Sequence, residues 1–78
     1  MKFTVLNLPR DFEEQEVADL FKAYGNISAC HLVLNKDNGT SKGFAFVEMA
    51  LEHEGKTALK ELHGRKIGKN TIRVKQTD

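Results

Sequence analysis

Residues 42–49 alternate strictly between two kinds of side chain. The odd-numbered positions are small or aliphatic, and the even-numbered positions are Lys42, Phe44, Phe46 and Glu48. This period of two predicts a β-strand, because successive side chains point to opposite faces of a sheet. The small and aliphatic positions suit a face covered by helices, so both phenylalanines are expected on the uncovered face. The opposite register would bury Lys42 and Glu48, and it is the alternative to this interpretation.

Apolar residues recur at helical spacing in two other segments. Spacings of three and four predict a first helix over residues 13–24 and a second over residues 51–63. Acidic side chains crowd the start of the first helix, where the helix dipole favours negative charge. Gly25 and Gly64 follow the two segments and are expected to end them in the left-handed conformation. Gly55, inside the second segment, either allows close packing on a sheet or weakens the helix.

Three further segments are β-prone and complete the order β-α-β-β-α-β. They are residues 3–6, 27–34 and 71–75, and the polar loop 35–41 contains an Asn-Gly turn signal. Uneven apolar spacing between Ile27 and Cys30 predicts a bulge in the second strand. Two helices can bury their apolar faces on one side of a four-stranded antiparallel sheet, which gives a ferredoxin-like α+β sandwich. The other side of that sheet is left uncovered.

Length and composition exclude several function classes. A chain of 78 residues has room for one small domain, and residues 1–78 are expected to form it. Cys30 is the single cysteine, so no intrachain disulfide can form, and a reducing compartment is expected. No apolar run is long enough to span a bilayer. The histidines are scattered and Cys30 has no second cysteine, so neither a metal nor a cofactor is predicted.

Strand alternation predicts the composition of the uncovered side of the sheet, called the open face below. Its predicted members are Thr4, Leu6, His31, Val33, Lys42, Phe44, Phe46, Glu48, Arg73 and Lys75. Folding gives no reason to expose two large aromatic rings, and an exposed apolar patch marks a binding site. Unpaired bases stack on aromatic rings, while lysine and arginine side chains bind phosphates. The open face is therefore typical of a surface that binds single-stranded nucleic acid.

Residues 42–49 closely resemble the RNP1 signature of the RNA recognition motif (RRM) family. That signature reads basic, glycine, aromatic, small, aromatic, aliphatic, any residue and aromatic, and seven of its eight positions agree. Only Met49 departs from it. Residues 3–8 resemble the family's RNP2 signature, and the resemblance extends over residues 2–75. It implies a domain that binds short single-stranded RNA without catalysis.

Carried over to this sequence, the resemblance implies that Phe44 and Phe46 stack on bases and that Lys42 contacts a phosphate or a base. Arg73, Lys75 and Gln76 stand where the last strand and tail of the family meet RNA. Solvated charge on an edge strand is the alternative for the two cations, because such charges also deter aggregation.

Four further positions are secondary candidates for RNA contact. Family members usually carry a stacking aromatic where this chain has Thr4, which can form hydrogen bonds but cannot stack. One stacking site is therefore missing. Asn7 either binds a base edge or holds the turn after the first strand, and Leu6 and His31 lie on the open face.

Two other functions are compatible with the same fold. Some relatives without sheet aromatics bind a peptide on the helical side through an Arg-x-Phe stretch, whose place is taken here by Arg65-Lys66-Ile67. A ferredoxin-like small enzyme such as an acylphosphatase would need an anion cradle after the first strand, where Arg10 stands without the glycine-rich turn.

The sequence therefore predicts a monomer that is not an enzyme. Binding to a membrane or to a small-molecule substrate is not expected. The expected partner is single-stranded RNA, with single-stranded DNA left open. The chain is similar to small stand-alone bacterial family members, so a cytoplasmic location is expected, with a nuclear one as the alternative for a eukaryotic source.

Overall fold

In a computed structural model that describes residues 1–77, both segments of helical periodicity form helices. Helix α1 spans Glu14–Lys22 and helix α2 spans Glu52–Leu62, so both are slightly shorter than predicted. Each helix buries one apolar stripe, as its spacing requires. The buried apolar residues of the two helices join a single core, and they are Val17, Phe21, Ala58 and Leu62. Within residues 1–77, no helix is long and apolar enough to cross a membrane.

Four strands form the main sheet. The strands of the structure are β1 (Lys2–Leu6), β2 (Ile27–Leu34), β3 (Ser41–Met49), β4 (Lys66–Ile67), β5 (Asn70–Thr71) and β6 (Arg73–Gln76). The main sheet is antiparallel, with the order β2-β3-β1-β6. Strands β4 and β5 pair with each other in a separate two-stranded hairpin. The predicted ferredoxin-like α+β fold, with two helices on one face of a four-stranded antiparallel sheet, is confirmed.

The alternation along β3 determines which side of the sheet is covered. Its odd-numbered positions are all buried, and Phe46 between them is exposed. The core side of the neighbouring strands agrees, since Phe3 and Val5 of β1 and Val74 of β6 are buried in the same cluster. The alternative register, with both rings of β3 in the core, is therefore wrong.

The end of the fold differs from the single strand predicted over residues 71–75. Strand β6 begins at Arg73, and the residues before it belong to the hairpin of β4 and β5. Buried Ile72 donates its N–H to the Arg65 carbonyl at 2.9 Å and accepts the Gly64 N–H at 2.9 Å. These bonds tie Ile72 to the end of α2 and separate it from β6. Strands of two residues are too short to produce a periodic signal, so the hairpin was not predicted.

The two glycines that follow the helices behave differently. Gly64 has a φ of 84°, which confirms its predicted left-handed conformation. Gly25 was wrongly predicted to end α1 in this way, because α1 ends at Lys22 and Gly25 does not have a positive φ. Gly25 instead lies against the side chain of Glu54, whose carboxylate accepts the Asn26 N–H at 3.0 Å. A side chain at Gly25 would displace this contact from α2.

Gly55 allows α2 to approach β1 closely. It is buried, and a Cβ atom there would lie 2.7 Å from Met1 Sδ and 3.2 Å from Phe3 Cζ. Of the two interpretations of this glycine, close packing is confirmed.

The pairing of β2 with β3 is irregular in two places. The register with β3 shifts between Ile27 and Ala29, which confirms the predicted bulge, and shifts again between Leu32 and Leu34. After the first shift, Leu32 is buried while His31 is exposed, so the alternation continues along the middle of the strand. The bulge is a local change in backbone pairing that leaves the two faces intact.

Candidate functional site

The centre of the open face is a row of side chains that crosses all four strands. Thr4 of β1 lies opposite Phe46 of β3 on one side and Lys75 of β6 on the other. Phe46 in turn lies opposite His31 of β2. Partners that are directly opposite in an antiparallel sheet point to the same face, so these four side chains share the open face. The row was predicted from strand alternation, but the pairing of its members came from the structure.

The two rings of the open face stand close together. The side chain of Phe46 is 47% exposed, and Phe44 is half-buried. Their centroids lie 6.0 Å apart with an angle of 84° between the ring planes. An edge-to-face pair of this kind is a favourable arrangement of two aromatic rings. Two aromatic surfaces are therefore available side by side in the middle of the sheet.

Strand β1 contributes no aromatic ring to this face. Thr4 and Leu6 are both half-buried, and Leu6 lies opposite Arg73 of β6. The sequence predicted that a third ring would be missing at Thr4. Its absence leaves the surface lower between Phe46 and Lys75, and the Thr4 hydroxyl is the polar group that Thr4 offers there.

Gly43 gives β3 a sharp local bend immediately before Phe44. Its φ is 84°, which is unfavourable for any residue with a Cβ atom. The Ser41 hydroxyl accepts the Gly43 N–H at 3.0 Å, and the Gly43 carbonyl accepts the Leu8 N–H at 2.8 Å. A Cβ atom here would lie 2.9 Å from Arg10 Nε. The bend therefore connects β3 to the loop after β1 and sets the direction of Lys42 and Phe44.

Three cations surround the rings. Lys42, Arg73 and Lys75 are exposed, and none of their side chains forms a hydrogen bond or an ion pair with another residue in the range 1–77. On β6, Lys75 lies opposite Thr4 and Arg73 lies opposite Leu6. Lys42 lies near the beginning of β3, and Glu48 lies near its end. Their charged groups are free to meet phosphates that cross the face.

Two of the predicted RNA-binding residues are placed differently from the others. The Asn7 side chain donates Nδ2–H to the Thr71 carbonyl at 2.9 Å, and Asn7 itself has a φ of 63°. Of its two predicted roles, the structure therefore supports holding the turn. Gln76 lies opposite Phe3 and so belongs to the side of the sheet that the helices cover. Gln76 is exposed at the end of β6, and its contact with RNA stays a prediction.

His31 stands at the outer edge of the open face. Its side chain is 74% exposed, and Nδ1 lies 4.0 Å from a carboxylate oxygen of Glu14. The same carboxylate accepts the Leu32 N–H at 3.0 Å. The sequence related the acidic residues at the start of α1 only to the helix dipole, but Glu14 also covers a backbone N–H of the edge strand β2. This link was missed because it joins residues from different elements.

A second row next to the rings was also missed. Glu48 lies opposite Lys2 and opposite Ala29, and this row borders a depression of about 260 Å³ beside Phe46. The alternation along β1 that places Thr4 on the open face also places Lys2 there, so the signal was present in the sequence.

The residues considered for other chemistries make the following contacts in the described part of the chain. Within residues 1–77, no three His, Cys, Asp or Glu side chains come together in a way that could hold a metal ion. Arg65, in the stretch considered for peptide binding, donates Nη2–H to the Tyr24 hydroxyl at 2.9 Å. Arg10, considered for an anion cradle, donates Nη1–H to the Ser41 carbonyl at 3.3 Å. Both guanidinium groups thus take part in intramolecular contacts.

Comparisons with known proteins agree with this arrangement. The human protein named ribonucleoprotein PTB-binding 2 is 38% identical over 68 residues, which cover 87% of this chain and 10% of that protein. The crystal structure of RNA binding protein PG1 superimposes with a TM-score of 0.94 at 28% identity, covering 99% of this chain and 93% of that one. The structure titled Sxl-lethal protein/RNA complex gives a TM-score of 0.93 at 30% identity, covering 99% and 46%.

The chain spans about a tenth of the length of the human relative, so the likeness concerns one domain of a larger protein. The family model described as RNA recognition motif matches residues 4–73, which include most of β1, both helices, β2, and β3 with its two rings. With this match over most of its length, the chain belongs to the RNA recognition motif family.

Proposed function

We propose that the domain binds short single-stranded RNA on the open face of its sheet and catalyses no reaction. The observation that carries this proposal is the pair of rings, Phe44 and Phe46, at the centre of an uncovered sheet. Each ring offers a flat surface to one base, and such stacking stabilises a complex by about 1–3 kcal/mol per base. In a duplex the base faces are already stacked on each other, so this surface favours single strands.

Phosphates are bound by the cations at the border of the rings. Lys42, Arg73 and Lys75 project from two different strands and carry no partner within residues 1–77. A single strand that lays its bases on the rings brings its backbone past these groups. Contacts of this kind position the strand without reading its sequence.

Support for the RNA-binding assignment also comes from the family. The names of the relatives describe ribonucleoproteins, and one solved structure with a similar fold is titled as a protein–RNA complex. The alternatives of a peptide-binding module and a small enzyme receive no such support.

The proposal is tested by an NMR titration of amide shifts with a random single-stranded RNA heptamer. We expect shifts at β1, β3 and β6 but not at the outer surfaces of α1 and α2. Phe44→Ala and Phe46→Ala should each weaken binding by about fivefold to 150-fold while leaving the fold intact, because each removes one stacking surface.

Leu51→Ala is the matched control for these variants. It removes an apolar side chain that is 45% exposed but lies at the start of α2, away from the open face. Its affinity for RNA should equal that of the unchanged protein. Unchanged binding by both phenylalanine variants, or shifts confined to the helices, would contradict the proposal.

The same surface suits single-stranded DNA, because the rings contact bases and the cations contact phosphates, which both polymers share. Heptamers of RNA and DNA with matched sequences should therefore bind with affinities within about an order of magnitude of each other.

We also propose that the domain acts as a monomer. Within residues 1–77, the most exposed large apolar side chains are Leu34 of β2, Phe46 of β3 and Leu51 before α2, and they belong to three different segments of the chain.

A further inference from the structure

A depression beside Phe46 is not explained by stacking on the two rings. It has a volume of about 260 Å³ and lies where the row of Glu48 borders the row of Phe46. The small side chain of Ala29 lowers the surface on the β2 side, so that the ring of Phe46 forms one wall. Its lining on the open face consists of Lys2, Ala29, His31, Phe46, Glu48 and Thr77.

The carboxylate of Glu48 has no partner in the described part of the chain. The residue is half-buried, and its side chain forms no hydrogen bond and no ion pair with any residue from 1 to 77. An ionised carboxylate can only accept hydrogen bonds, and partial burial without a donor is unfavourable. A ligand that fills the depression must therefore bring donors to this position.

The charges around Glu48 distinguish it from the phosphate-binding part of the face. The other charged groups of the open face are the cations Lys2, Lys42, Arg73 and Lys75, and they attract phosphates. A carboxylate repels a phosphate, so Glu48 is suited to an uncharged part of a nucleotide. RNA offers two kinds of donor, the 2′-hydroxyl of its ribose and the N–H groups of its bases, and the ring of Phe46 beside Glu48 favours a base.

We infer that the depression between Phe46 and Glu48 binds a guanine base, with the Glu48 carboxylate accepting hydrogen bonds from guanine N1–H and N2–H. This inference rests on the proposed function. Guanine presents two adjacent donors that match the two oxygens of a carboxylate, whereas the donors of adenine, cytosine and uracil each stand beside a ring acceptor or a carbonyl. Lys2, directly opposite Glu48, supplies a donor for the guanine O6 atom.

The first arm of the test changes the ligand. Uridine heptamers with guanosine, adenosine, cytidine or inosine at the centre, together with all-uridine, are titrated against the unchanged protein by fluorescence anisotropy. A paired carboxylate of this kind discriminates between bases by about fivefold to 150-fold, so the guanosine heptamer should bind tightest by at least that lower factor. Inosine lacks the 2-amino group and should lose most of this advantage.

The second arm changes the protein. Glu48→Gln removes the charge and one acceptor, and its affinities for the guanosine, inosine and uridine heptamers should fall within about twofold of each other. Glu61→Gln removes the same charge from the exposed side of α2 and should keep the original ranking. The amide spectrum of each variant reports its fold, and the inosine comparison needs no variant at all.

The possible outcomes distinguish failure of the guanine site from failure of RNA binding as a whole. Loss of guanosine preference in Glu48→Gln alone supports the guanine site. Equal binding of all heptamers by the unchanged protein, or the same ranking in Glu48→Gln, overturns the guanine site and leaves RNA binding intact. Failure of every heptamer to bind the folded protein overturns the proposed function, and the guanine site with it.

Discussion

Thr4 is the residue at which this open face departs most from a fully aromatic one. It lies between Phe46 and Lys75, and its half-buried side chain is smaller than either neighbour. A base above Thr4 can meet a hydroxyl but no ring, so one potential stacking contact is lost.

Thr4→Tyr should therefore tighten binding of single-stranded RNA by about fivefold or more, because the added ring supplies a further stacking surface. Affinity is measured by fluorescence anisotropy with one heptamer for all proteins. Thr4→Val, which removes the hydroxyl without adding a ring, is the matched control and should show no gain. Weaker binding by a folded Thr4→Tyr protein would contradict the assignment of Thr4 to the binding surface.

Cys30 is a residue whose chemistry is set by its surroundings. It is half-buried, and its Sγ lies 3.8 Å from the carbonyl oxygen of Glu14. Burial, followed by the charge of Glu14, raises the pKa of the Cys30 thiol. The thiolate is therefore scarcer in the folded protein than in an unfolded chain at the same pH.

Two consequences can be measured. Alkylation by iodoacetamide at pH 8 should be slower in the folded protein than in urea, and Glu14→Gln should accelerate it. Because the pKa of the thiol is raised on folding, the unfolded chain loses this proton first as pH rises. The free energy of unfolding should then decrease above the ordinary pKa of a cysteine thiol. A faster reaction in the folded state would show that burial does not control this thiol.

Strand β3 shows how one element serves both the core and the open face. Its odd-numbered residues fill the core, and the bend at Gly43 turns the strand toward the loop after β1. The bend also brings the Gly43 Cα close to Arg10, whose guanidinium bonds to the Ser41 carbonyl.

Gly43→Ala should destabilise the fold more than Gly64→Ala. Both glycines have a φ of 84°, so each variant bears about 1–2 kcal/mol of left-handed strain. Nothing lies within 4 Å of a Cβ atom at Gly64, whereas one at Gly43 displaces Arg10. Loss of the bond from Arg10 to Ser41 adds about 0.5–1.5 kcal/mol. Urea unfolding measures both values, and equal losses would mean that Arg10 adapts without cost.

Helix α1 also protects the sheet to which it is packed. Strand β2 is an edge strand, and unpaired backbone groups on such edges invite pairing with other chains. The Glu14 carboxylate accepts the Leu32 N–H of this edge. The acidic start of α1 therefore satisfies a backbone donor and also matches the dipole of its own helix.

At the level of the whole molecule, net charge says little about binding. The formal net charge is +1, yet the cations Lys42, Arg73 and Lys75 are gathered around the rings while the acidic start of α1 is on the helical side. A near-neutral protein can thus present one positive surface, because the fold places these acidic and basic residues on different sides of the sheet.

RNA affinity should fall as salt is raised, with a slope of log K against log salt of about −2 for three phosphate contacts on a single strand. Lys75→Gln should make the slope shallower by about 0.7, since it removes one such contact. Lys60→Gln, on exposed α2, should leave the slope unchanged. An affinity that does not depend on salt would exclude these cations from phosphate binding.

The periodicities of the chain were sufficient to predict the order of elements and the direction of most side chains. A period of two in β3 and spacings of three and four in α1 and α2 reflect backbone geometry within a few residues. The exposure of Phe44 and Phe46 follows from those local patterns alone, because their neighbours on β3 are small enough to be covered by helices.

Other features depend on residues that are far apart in the sequence, and they required the folded chain. The Asn7 side chain is held by Thr71, Glu14 covers the edge of β2, and the row of Glu48 with Lys2 exists because β1 pairs with β3 in one particular register. Local backbone geometry determines which face a side chain occupies, but its partners on that face are set by how distant strands and helices pack. For this reason the rings were predictable from the sequence, and the depression beside them was not.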